Sequence, residues 1–379
     1  MPLVADELLW LHLAEIPGVG TRAAHRLLHE FGSPAAIFAA NESSLTRVVD
    51  ARLARNLRAD PDAAVLATLE RTRAWLASSS QHHLLTWADP RFPRALLELA
   101  DAPVVLHAIG RTDLLARQPA VAVVGSRHAT AGGLDDAHAF AESLARHGVT
   151  IVSGLAAGID GAAHRGALAA GATGGGTIAV VGTGLDRVYP AAHRDLAHAI
   201  AEAGVLISEY PLGTPPRTEN FPRRNRVIAG LVRGVLVVEA SLRSGSLITA
   251  RLAAEQGRDV YAMPGSIHSP HHKGCHALIK QGAKLVESAA DVLEELGVPI
   301  AQSQPGVESA PAGASQVETH GWGDVLGDAL GFDPIDVDSI ALRSGLSGGE
   351  VIAALTLLEL ERRAECLADG RWQRRKAPR

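Results

Sequence analysis

The stretch Thr150-Ile-Val-Ser-Gly-Leu-Ala-Ala-Gly-Ile-Asp-Gly-Ala-Ala-His-Arg-Gly-Ala-Leu-Ala-Ala170 begins as a β-branched apolar run, turns at two glycines, and continues as an alanine-rich helical segment. The same rhythm runs on either side of it. Short apolar runs recur at Ala120–Val124, Thr150–Val152, Thr177–Val181, Val205–Ile207, Val235–Val238 and Val260–Ala262, with helical stretches such as Gly158–Ala170 and Ser246–Gln256 between them. Strands that are apolar throughout and alternate with helices predict a parallel sheet covered on both faces. That is a doubly wound α/β domain, and its ligand is expected beyond the carboxyl ends of the strands.

Those strand ends carry small and charged residues: Gly125-Ser-Arg127, Ser153-Gly-Leu-Ala-Ala-Gly-Ile-Asp160, Gly182-Thr-Gly-Leu-Asp186, Ser208-Glu-Tyr-Pro211, Glu239-Ala-Ser241 and Pro264-Gly265. Glycine permits close backbone approach there, and each following helix directs its positive end at the turn. Six such ends in succession favour an anion site.

Which anion is indicated by residues 217–233, Arg-Thr-Glu-Asn-Phe-Pro-Arg-Arg-Asn-Arg-Val-Ile-Ala-Gly-Leu-Val-Arg. Five arginines face one acid there, in a 379-residue chain of net charge −5. The planar guanidinium fork suits phosphate, and Phe221 among the arginines offers a face on which an unpaired base can stack. Single-stranded nucleic acid is the ligand this pattern predicts.

Around this domain, residues 1–80 read as helical, with Leu13–Leu28 in the form of a helix-hairpin-helix around Gly18-Val-Gly20. Such a turn can present backbone N–H groups to a phosphate, or can simply join two helices that pack on each other. Residues 81–298 form the α/β domain, entered through a proline-punctuated connector with a strand at Val104–Ala108. A flexible linker is expected over 299–322. Residues 323–379 read as a small winged helix, with helices at Ile335–Leu342 and Gly349–Leu360 and strands at Ala364–Leu367 and Arg371–Gln373. This last segment is acidic overall, which favours a protein contact or a vestigial role, although Arg371–Arg379 holds five basic groups and no acid.

Composition excludes other classes. Net charge is −1 over residues 1–118, zero over 119–298 and −4 over 299–379, so a uniformly basic nucleic-acid binder is ruled out and a single focused basic face is not. Cys275 and Cys366 make no disulfide framework, the acids Asp6 and Glu7 argue against a secretory leader, and no apolar run is long enough to span a bilayer. A cytoplasmic protein without membrane contact is expected. There is no P-loop, and Gly182-Thr-Gly-Leu-Asp-Arg187 is too short for a dinucleotide fingerprint. Four donors inside His271-His-Lys-Gly-Cys-His276 can hardly surround one tetrahedral ion, so no metal or other cofactor is expected and Lys273 is read as reaching the ligand. Asp160 and His164 could form an acid–base pair. The preferred reading has Asp160 ordering its turn and His164 packing locally. Glu209 and Glu239 are expected to bind loop amides or hold the arginines in register.

These segments together resemble the DprA/Smf family of bacterial DNA-processing proteins. The matching pieces are Val124-Gly-Ser-Arg127, Ser153–Asp160 with Ala163-His164, Gly182-Thr-Gly-Leu-Asp-Arg-Val-Tyr-Pro190, Ile207-Ser-Glu209, Phe221–Gly230, Glu239-Ala240, Ser244–Ala250, Gly257–Val260, Pro264-Gly265 and Leu278–Ala283. The resemblance implies an extended Rossmann domain that binds single-stranded DNA, forms homodimers and loads the recombinase RecA onto incoming strands in natural transformation, without catalysis. The implied site comprises Gly125, Ser126, Arg127, Ser153, Gly154, Gly158, Phe221, Arg223, Arg224, Asn225, Arg226, Arg243, Ser244, Gly245, Ser246, Lys273 and Lys280. Three positions depart from the family pattern. Ala131-Gly-Gly133 replaces an aromatic-glycine pair, Arg243 a frequent lysine, and Cys275 a usual asparagine, the last weakening any polar contact assigned to its loop. The alternative is a nucleotide-processing enzyme similar to phosphoribohydrolases. Their Pro-Gly-Gly-x-Gly-Thr-x-x-Glu signature is replaced here by Arg243-Ser-Gly-Ser-Leu-Ile-Thr249, and Ala250 or Arg251 falls where the glutamate belongs. A scaffold acting only through protein contacts would leave the arginine cluster without a purpose.

Overall fold

A computed structural model of the chain describes residues 5–299, 326, 329–330, 334–367 and 369–375. The expected linker lies outside the described residues from position 300 onward.

Nine strands form one sheet: β1 (His82–Thr86), β2 (Val105–Gly110), β3 (Ala120–Val124), β4 (Thr150–Ser153), β5 (Thr177–Val180), β6 (Val205–Ser208), β7 (Gly234–Val237), β8 (Asp259–Ala262) and β9 (Lys284–Leu285). Their spatial order is β1-β2-β6-β5-β4-β3-β7-β8-β9. The seven strands from β6 to β9 are parallel, and β2 pairs antiparallel with both β1 and β6. The chain winds outward from β3 in both directions, so the topological switch point lies between β3 and β7. Each of β3 to β7 is buried at every position, as apolar runs covered on both faces must be. One core cluster, including Val152, Ile178, Val227 and Val235, fills one face of the sheet. A second, including Val121, Ile151, Ala141 and Leu293, fills the other.

The connector over 81–118 is corrected by this structure. Residues His82–Thr86 form an additional strand, and with β2 they make an antiparallel hairpin that extends the main sheet. Proline and histidine content conceals a strand whose pairing is non-local. The N-terminal helices pack on this hairpin: Leu84 and Val105 share a core with Leu11, Leu27, Leu45 and Leu57. Gly18, at φ +93°, makes the turn between helices Ala5–Glu15 and Thr21–Phe31, and Asn56 donates to the Pro17 carbonyl at 2.8 Å to brace it. Arg71 donates to the Leu212 carbonyl at 2.9 Å and ties the helical region to the loop after β6.

The C-terminal region has helices Val337–Ser344 and Gly348–Leu360 and the antiparallel strands β10 (Ala364–Cys366) and β11 (Trp372–Arg374) around their own core. Ser347 and Glu350 form a reciprocal cap on the second helix. The described part of the basic Arg371–Arg379 segment makes ion pairs within the protein. Arg371 pairs with Asp369 at 2.6 Å, and Arg375 reaches Asp135 of the α/β domain at 2.7 Å. Among the described residues no single helix is long and apolar enough to cross a membrane.

Candidate nucleic-acid interface

A cavity of about 490 Å³ opens at the carboxyl ends of β3 and β7, where the winding reverses. Its walls come from the Gly125-Ser-Arg127 turn after β3, from Phe221, Arg224 and Asn225 on helix Asn220–Leu231, and from Arg243–Ser246 at the start of helix Ser246–Glu255. A smaller cavity of about 70 Å³ continues from it between Gly154, Gly182, Thr183, Phe221 and Arg224. The turns can meet because of two glycines. Gly158 sits at φ +78° against the Ser126 carbonyl, and a Cβ on Gly154 would overlap the Arg224 guanidinium.

Arg127 lies over the Phe221 ring, its guanidinium carbon 5.3 Å from the ring centroid. Cation–π contact of this kind holds a phosphate-binding group beside an aromatic face. Tyr189 stands on another side of Phe221 at 5.5 Å. The helix bearing Phe221 is positioned by Asn220, whose buried amide donates to the Gly182 carbonyl at 3.0 Å, and by the Tyr210 hydroxyl, which donates to the Asn220 carbonyl at 3.1 Å. Ser244 and Ser246 share a hydroxyl–hydroxyl bond of 2.7 Å, and Asn225 donates to the Gly245 carbonyl at 3.4 Å. The Ser126 hydroxyl accepts from the His128 amide at 3.1 Å.

Not all of the arginine cluster faces this cavity. On the helix, residues 221, 224, 225 and 228 share one side and 223 and 226 the other, as a period of 3.6 requires. Arg226 is turned away into an ion pair with Glu209 and a second with Asp101 at 3.5 Å. Arg223 is exposed outside the cavity. Arg224 lines the cavity but is buried. One Nη donates to the Val180 carbonyl, and its Nε has no hydrogen-bond partner among the described residues. Burial lowers the Arg224 pKa to about 10, against the opposing pull of Asp160.

Several other expected contacts are corrected in the same way. The Ser153 hydroxyl is buried and donates to the Val123 carbonyl at 2.7 Å. The Gly154 amide donates to Asp160 at 3.0 Å. Lys273 reaches the Ile267 carbonyl, and neither it nor Lys280 lines the cavity. Cys275 is a core residue, its thiol directed at the Val237 carbonyl at 3.6 Å and pushed up to about 12 by burial, so it contributes nothing polar to its loop. Among the described residues no group of three or more potential metal ligands converges.

The carboxylates behave as structural groups. Asp160 accepts from the Gly154 and Ala156 amides, and burial raises its pKa. His164 binds the Thr177 hydroxyl at 2.8 Å, and burial takes it down to about 3. Glu239 accepts from the Thr130 amide at 3.0 Å and its hydroxyl at 2.6 Å, beneath Gly133. Glu209 holds Arg226 in register, as expected, and burial raises its pKa. The residue-level reading missed Tyr189, Thr218 and Thr249, which also line the cavity. Tyr189 carried a signal, since it stands in the Gly182–Pro190 motif.

A family model described as DNA recombination-mediator protein A matches residues 83–297. A DprA winged helix domain model matches 310–370, and a SAM-like helix-hairpin-helix tandem matches 11–60. Protein Smf of Escherichia coli is 43% identical over 294 residues, covering 77% of each chain. The X-ray structure of DNA processing protein A from Streptococcus pneumoniae superposes with a TM-score of 0.61 at 38% identity, over 78% of this chain and 99% of that one. DNA processing protein A from Helicobacter pylori, a structure concerned with that protein's single-stranded DNA binding mode, gives 0.52 at 30% identity, over 57% and 97%.

Proposed function

The chain belongs to the DNA recombination-mediator protein A family, and we propose that it binds single-stranded DNA in the cavity at the β3/β7 switch point. The observation that carries this reading is the Arg127–Phe221 pair at 5.3 Å, a cation and an aromatic face side by side in one wall. Arg127, Arg243 and the Ser244–Ser246 turn at a helix start would take backbone phosphates, with Arg224 supplying buried positive charge beneath. Phe221 and Tyr189 would take the bases. The H. pylori structure concerns that protein's single-stranded DNA binding mode, which supports a single strand as the ligand class here.

The role is that of a mediator in the cytoplasm: the protein, as a homodimer, covers an incoming strand during transformation and passes it to RecA. No catalytic step is part of it. Asp160, Glu239 and His164, the nearest titratable groups of the strand-end turns, are held by amides or hydroxyls of their own loops and strands. Co-sedimentation with RecA on a single strand, with and without Arg127→Ala, tests the transfer. Loss of RecA loading in parallel with loss of strand binding is the expected result. Release of free base from a nucleoside monophosphate would instead favour the phosphoribohydrolase-like alternative.

A further inference from the structure

Tyr189 lines three cavities. On one side it meets Phe221. On another it borders a separate cavity of about 300 Å³ between the 185–189 loop and helix Arg194–Ala203. The floor of that cavity is Leu155, Val181, Leu185 and Leu206, each no more than 9% exposed. Its rim carries Gln81, Arg187, His198 and Glu202. Tyr189 itself is 44% exposed, high for an aromatic side chain already against another ring.

We propose that this cavity is a second nucleobase subsite, entered by the base that follows the one on Phe221 and selective for bases with an exocyclic amino group. The inference rests on the single-strand reading above and extends it past Tyr189. An apolar floor offers a phosphate nothing, and the Glu202 carboxylate repels one. A neutral, planar base gains by leaving water for that floor and by stacking on the tyrosine ring. Glu202 and the Gln81 side-chain oxygen are acceptors, and cytosine, adenine and guanine present an amino donor that thymine lacks. The volume is at the lower end of small-ligand sites, which suits one base and not a nucleotide with its phosphate. Arg187, held by Asp186 at 3.1 Å, stands at the rim as a cation for the connecting phosphate.

The test compares oligodeoxycytidine with oligothymidine of equal length by fluorescence anisotropy at mildly alkaline pH. The wild-type protein should bind the cytidine strand about three- to tenfold more tightly, the yield of one or two added hydrogen bonds. The double variant Gln81→Ala/Glu202→Ala, at two exposed positions where folding is not at stake, should bring the two strands to near parity. Ala201→Trp, which fills the cavity from the helix side, should do the same. A wild-type protein that binds both strands equally, or a preference that survives the double variant, would overturn the subsite while leaving the Arg127–Phe221 site standing. Failure to bind either strand would instead sink the reading beneath it.

Discussion

Gly154 leaves free the space that the Arg224 guanidinium occupies, and Arg224 uses it to donate from its helix to the Val180 carbonyl of β5. The turn after β4 and the helix carrying Phe221 are therefore locked to one another by a glycine and a buried cation. Gly154→Ala should force them apart. Overpacking of this kind costs about 1–3 kcal/mol, so denaturant unfolding should show a lowered midpoint with an unchanged m-value. Wild-type stability in this variant would show that the two elements are not locked.

Arg226 and Glu209 form an ion pair with side chains 12% and 13% exposed. Arg226→Ala leaves a carboxylate buried beside Asp101 and should destabilise the fold by about 3 kcal/mol or more. Strand affinity of the protein that remains folded should change little. A large loss of affinity with unaltered stability would place Arg226 in the binding surface after all.

Phe221→Ala removes the stacking face and the seat of Arg127 together. Affinity for a single strand should fall by about 1–3 kcal/mol, and Phe221→Trp should recover most of it. Unchanged affinity in Phe221→Ala would remove the base-stacking assignment.

His107 and His164 are buried, and burial holds them at about 4 and about 3, below the ordinary histidine value of 6.5. The unfolded chain takes up protons at these positions below about pH 6.5, while the folded chain does not until pH 4 or lower. Folding stability should therefore fall as pH drops from 6.5 towards 4, by up to about 1.4 kcal/mol per pH unit for each histidine. Urea titrations at a series of pH values measure the slope, and His107→Leu should reduce it. A slope identical in variant and wild type would mean that His107 is not kept neutral by the fold.

Much of the architecture was legible because the apolar strands, fully covered, have no solvent face to obscure their pattern. The six strands expected in the α/β alternation are present, as is the one expected at Val104–Ala108, and both terminal domains have the expected character. Strand β1, which pairs with the expected β2, and the two-residue β9 were harder to see. Their pairings are long-range, and their composition is that of a connector. The binding wall was legible in kind and only partly in detail. Arg127, Phe221, Asn225 and Arg243–Ser246 do converge, since strand ends and helix starts fix their positions. The run from Arg223 to Arg226 was read as one basic patch, and a helix divides it into two faces with opposite fates. Ser153 and Gly154 hold loops together from within. A polar residue at a strand end looks the same in sequence whether it serves a ligand or its own backbone.

The central claim is tested most directly by titrating labelled single-stranded and duplex oligonucleotides of one sequence with the wild-type protein and Arg127→Ala over a series of salt concentrations. Binding that prefers the single strand should weaken with salt at a log–log slope of about −0.7 per neutralised phosphate, with a shallower slope in Arg127→Ala. Equal binding to strand and duplex, or a slope that Arg127→Ala leaves unchanged, would contradict a single-strand site built on Arg127 and Phe221.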